Sequence, residues 1–165
     1  TQRKKPGTLE GPPQVITGVE HLTKPVGTRT ATVPRGYLIA AGLDHIVDKL
    51  RIQNIEVKIL KKPITVRGEE YAVDEIIPVQ LGGYAMTDLK GAFEPFAART
   101  FPAGTYMIDL AQPLANLAFY CLEPEVGDGL AGWGFFNEAL KSRDAGKESV
   151  IYPVYKYFEV IEDPR

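Results

Sequence analysis

With 165 residues, 44% of them apolar and 24% charged, the chain is long enough for one ordinary domain with a hydrophobic core. Its net charge of −2 gives it no electrostatic claim on nucleic acid or an anionic membrane, so neither is expected as a partner. No apolar run reaches the roughly 20 residues of a membrane-spanning helix, and the single cysteine, Cys121, excludes an intrachain disulfide and a multi-cysteine zinc site.

Residues 1–13 mix Lys, Arg, Gly and Pro around one large apolar residue, Leu9, and read as a flexible linker or surface arm. A single domain is expected over 14–165. No signal peptide is visible, and the Thr1 start suggests a processed protein or a piece of a longer polypeptide. Residues 14–19 add one short strand, and ordered structure begins with the β-branched run 28–33 and the strand 36–40. Leu43, Ile46, Val47 and Leu50 follow at i, i+3, i+4 and i+7, the apolar face of a helix that Asn54 would stop. The alternation over 55–60 predicts a half-buried strand. Strand, helix and strand make one βαβ unit if the two strands run parallel.

From Ile64 the pattern turns to strands, with Gly68 placed as a hairpin turn between 64–67 and 70–77. Pro102-Ala103-Gly104 joins strands over 93–101 and 105–110, since Pro presets φ and Gly permits positive φ. The run from Pro113 to Leu122 is apolar nearly all round and predicts a buried helix, ended by Pro124. A short helix is expected through Trp133, Phe135, Phe136 and Leu140, and a last strand over 150–160. The fold class is therefore α+β: a mainly antiparallel sheet covered by two or three helices.

No catalytic apparatus emerges from these residues, and no phosphate loop, dinucleotide fingerprint or serine-nucleophile elbow is present. The two histidines, His21 and His45, do not make a zinc site with His45-Ile46-Val47-Asp48, whose His and Asp lie on the polar side of an amphipathic helix. Cys121 reads as a buried structural thiol. The acidic, Gly-rich loop 125–129, where Glu123, Glu125 and Asp128 cluster within six residues, is either a solvated turn or a source of oxygen ligands, though its spacing is not that of a helix–loop–helix calcium site. Trp133, Phe135 and Phe136 either fill the core or form a stacking platform for a sugar or peptide.

Several short motifs stand in fixed order: Pro102-Ala103-Gly104-Thr105-Tyr106, Gln112-Pro113-Leu114-Ala115, Leu122-Glu123-Pro124-Glu125, Asp128-Gly129-Leu130 and Trp133-x-Phe135-Phe136. With Pro34-Arg35-Gly36-Tyr37-Leu38-Ile39 upstream and Tyr152-Pro153-Val154-Tyr155 downstream, the series resembles the region after the catalytic domain in zinc carboxypeptidase-like proteins of the carboxypeptidase A superfamily. The resemblance spans roughly residues 29–158. The family's His-x-x-Glu and distant His zinc ligands have no counterpart here, because the only His-x-x-acid is His45 to Asp48. What the resemblance implies is a non-catalytic carboxyl-terminal domain without metal or cofactor, zinc belonging to the catalytic domain. Its partner would be that catalytic domain of the same polypeptide, with self-association through an exposed patch when alone, and its setting secreted or otherwise outside the cytoplasm. Glu125, Asp128, Trp133, Phe135 and Phe136 are the expected interface residues. An independent glycan- or peptide-binding module is the alternative.

Overall fold

The computed structural model describes residues 15, 17–18, 30–143 and 150–162. The chain divides after Thr32, and the unit that begins at Val33 carries every element described. The boundary expected at 13/14 lies outside the described residues, as do most of the strand expected at 14–19 and His21. Residues 30–33 are described and form no strand.

In chain order the elements are β1 (Gly36–Ile39), α1 (Asp44–Ile52), β2 (Lys58–Ile59), β3 (Ile64–Leu81), β4 (Tyr84–Phe101), β5 (Tyr106–Asp109), α2 (Ala115–Leu122), α3 (Asn137–Arg143), β6 (Val150–Ile151) and β7 (Val154–Glu162). The strands form one sheet in the order β2-β5-β1-β7-β3-β4, with β6 also paired to β3, and every pairing is antiparallel. The architecture is thus a mainly antiparallel sheet with three short helices. The expected βαβ unit does not form. β1 and β2 each pair antiparallel with β5, which lies between them, so the two strands flanking α1 never meet.

The sheet curls on itself. Laid flat, β4 and β5 would stand about 19 Å apart, four strand spacings of about 4.8 Å. Only residues 102–105 connect them, and these form a tight turn in which Thr105 N–H donates to Pro102 O and Gly104 has φ +88°. The same turn is stitched to the segment after β2, with Gly104 N–H donating to Leu60 O and Leu60 N–H to Thr105 O. The turn after β4 is therefore held beside the segment after β2, and the sheet curls into a half-barrel whose end strands β2 and β4 do not pair. Leu38, Ile64, Val66, Phe101 and Tyr157 form one buried cluster on one face of the sheet, with Met107 and Tyr155 against them. The opposite face is larger. There the alternate residues Tyr37 and Ile39, with Tyr71, Val73, Tyr106, Ile108 and Val154, pack on Ile46, Val47 and Leu50 of α1 and on Ala118, Leu122, Phe136 and Leu140.

The face of α1 lies where the i, i+3, i+4, i+7 spacing puts it, and Asn54 ends the helix in a left-handed conformation at φ +60°. Asp44 in its first turn accepts a hydrogen bond from the Tyr106 hydroxyl, and Lys49 and Arg51 in its last turn complement the helix dipole.

Gly68 makes no turn; β3 runs through it as one 18-residue strand. A Cβ at Gly68 would sit 1.9 Å from the Lys156 carbonyl oxygen, so this glycine permits a close approach to β7 beside an irregularity in register. The hairpin turn is instead Gly82-Gly83, both at positive φ (+57° and +90°), as a two-residue loop in a twisted hairpin requires. Gly83→Ala should destabilise the fold by roughly 1–2 kcal/mol through left-handed strain; a urea titration that leaves the midpoint unmoved would show the turn to be slack.

Helix α2 also departs from expectation. It begins at Ala115, and it buries only Ala118 and Leu122 while Asn116 and Tyr120 face outward. An apolar circumference marked a buried helix, but α2 covers one side of the sheet and lines a surface cleft with its other side. The aromatics 133–136 lie in turns before α3, and Pro153 separates β6 from β7 where one strand was expected.

Candidate functional site

The loop between α2 and α3, residues 123–136, holds all five residues singled out from the sequence, and the structure separates them into four settings. Phe136 is in the core, fully buried, with its ring 4.7 Å from that of Tyr152. Phe135 and Asp128 line a cleft of about 430 Å³ shared with Leu50 and Ile52 of α1 and Leu117, Tyr120 and Cys121 of α2. The Lys49 ammonium stands 5.4 Å from the centre of the Phe135 ring, and His45 Nε2 donates to the Phe135 carbonyl oxygen at 3.1 Å, tying α1 to the loop. Trp133 turns the other way, because Gly134 at φ +75° reverses the chain between it and Phe135. Glu125 does not project as a ligand; its Oε1 accepts from the Tyr71 hydroxyl at 2.7 Å.

Trp133 is 44% exposed and meets Tyr84, 63% exposed, edge to face at 5.7 Å. Tyr84 pairs across the hairpin with Leu81, itself 60% exposed, and the next pair on that face is Val79 with Met86. Val79, Leu81, Tyr84 and Trp133 thus make one apolar strip at the distal end of the β3–β4 hairpin. The loop is clamped to it: Thr87 N–H donates to Gly132 O at 2.8 Å on the outer side of β4, and the Thr87 hydroxyl bonds the Asn137 amide at 3.0 Å. These bonds cover part of β4's open edge, and Pro95, on the same edge strand, removes a donor from it. Nothing in the residue pattern marked Val79, Leu81 and Tyr84 as exposed, since the same alternation belongs to a buried hairpin.

Beneath the loop lies a polar cluster in which Glu123, grouped from the sequence with the acidic loop, is instead buried and paired with Lys156, a residue the sequence had not singled out. Glu123, which caps the carboxyl end of α2, and Lys156, on the central strand β7, are 3% and 1% exposed, with Nζ 2.9 Å from Oε1. The Tyr37 hydroxyl donates to the same Oε1 at 2.6 Å, and the ammonium rests 3.8 Å from the centre of the Phe93 ring. The cluster is closed within the core, where it staples α2 to β1 and β7. Its one advance signal was Lys156 standing at an inward position in an alternating strand.

Burial, with the Glu123 carboxylate second, pushes the Tyr37 hydroxyl far above the ordinary tyrosine range, and burial does the same to Tyr152 and Tyr157. Burial also raises the Cys121 thiol, which leaves it protonated and unreactive at neutral pH. The three tyrosines ionise in the unfolded chain near pH 10 but stay neutral in the folded one. Their contribution is complete below about pH 10 and declines above it, by about 1.4 kcal/mol per pH unit for each group. Tyr37→Phe should make stability fall less steeply between pH 10 and 11.5; denaturant titrations with equal slopes in both proteins would contradict the assignment.

Among the described residues no three His, Cys, Asp or Glu side chains are placed to hold a metal ion, and no helix is long and apolar enough to cross a membrane. No family model, curated protein or solved structure matches the chain.

Proposed function

We propose that this chain is a non-catalytic accessory domain, the carboxyl-terminal part of a zinc carboxypeptidase-like protein, which packs on the catalytic domain or shapes access to its cleft. The observation that supports this reading is the strip Val79, Leu81, Tyr84 and Trp133. A distal hairpin that presents four contiguous large apolar side chains on a rigid, clamped base has the character of an interaction surface. The choice of partner rests on the resemblance carried by the ordered motifs. When the domain is alone, the same strip would support self-association.

The test compares the chain alone with the chain joined to its upstream catalytic domain. Docking stabilises the native state, so the domain's melting temperature should rise by about 3 °C or more on joining, each kcal/mol being worth about 2–4 °C at this size. Leu81→Asp in the joined protein should remove the rise. Equal melting alone and joined, with unchanged amide exchange over 79–86, would refute the docking role.

A binding module for a glycan or peptide is the second reading, favoured by the half-exposed indole held edge-on by Tyr84. Trp133 is the only tryptophan in the chain. Its emission should therefore shift on titration with oligosaccharides or peptides if this reading holds, and stay fixed if the strip serves a domain contact.

A further inference from the structure

We draw no further inference here: the strongest candidate, the 430 Å³ apolar cleft between α1 and α2 with Ile52 and Tyr120 exposed on its rim, carries none because nothing in the structure shows what covers it.

Discussion

Lys156→Met is expected to destabilise the fold by about 3–5 kcal/mol, because it leaves the Glu123 carboxylate buried without its counter-charge. The Tyr37 hydroxyl would remain on Oε1, but one neutral donor does not replace an ammonium at 2.9 Å. Urea titrations of both proteins at pH 7 measure this; a loss below about 1 kcal/mol would show that the ion pair adds little beyond the packing on Phe93. Removing both charges, in Lys156→Met with Glu123→Leu, should recover only part of the stability: apolar groups of similar volume commonly replace a buried ion pair without loss, but the Tyr37 hydroxyl loses its acceptor at a cost of about 1–3 kcal/mol.

Phe136→Ala should have an effect of the same size, about 3–5 kcal/mol, as removal of a fully buried aromatic does. The ring lies against Tyr152 at the start of α3, so the cavity would open between that helix and the sheet. Trp133→Ala, three residues away, should cost the isolated chain less than about 1 kcal/mol, because the indole is half exposed. The contrast is measurable by denaturant titration of the two variants side by side. A large loss at Trp133 would make the strip a structural element of this domain and weaken the docking proposal. A small one makes Trp133→Ala a clean probe of binding that spares the fold.

How much the sequence disclosed depended on the period that carried each signal. α1 was legible because its four apolar residues follow one unbroken helical spacing and its end bears an Asn able to adopt positive φ. The turn at 102–104 was legible from Pro and Gly chemistry. The long hairpin was not, because register shifts between Val66 and Gly68 and between Val73 and Glu75 break the alternation of β3 into what reads as shorter strands. Its true turn, Gly82-Gly83, went unassigned once Gly68 had been given that role. The adjacent aromatics 133, 135 and 136 share one composition but not one environment, since the chain reverses at Gly134 and sends Phe136 inward. Composition cannot separate the three; only the backbone path does. The pairing of Glu123 with Lys156 joins residues on α2 and β7 that no local pattern connects.

The position of β7 within the sheet bears on how the chain is made. β7 is the last of the described strands yet lies between β1 and β3, pairing Gly36 with Tyr157 on one side and Gly68 with Tyr157 on the other. Before Val154–Glu162 leaves the ribosome, β1 and β3 lack the strand that joins them and the Glu123 carboxylate lacks Lys156. The β3–β4 hairpin, built from neighbours in sequence, is expected to form early, and the strongly non-local pairing of β7 late. Until then the edges of β1 and β3 that β7 will pair are open to other chains, so chaperone occupancy during synthesis should end when β7 arrives.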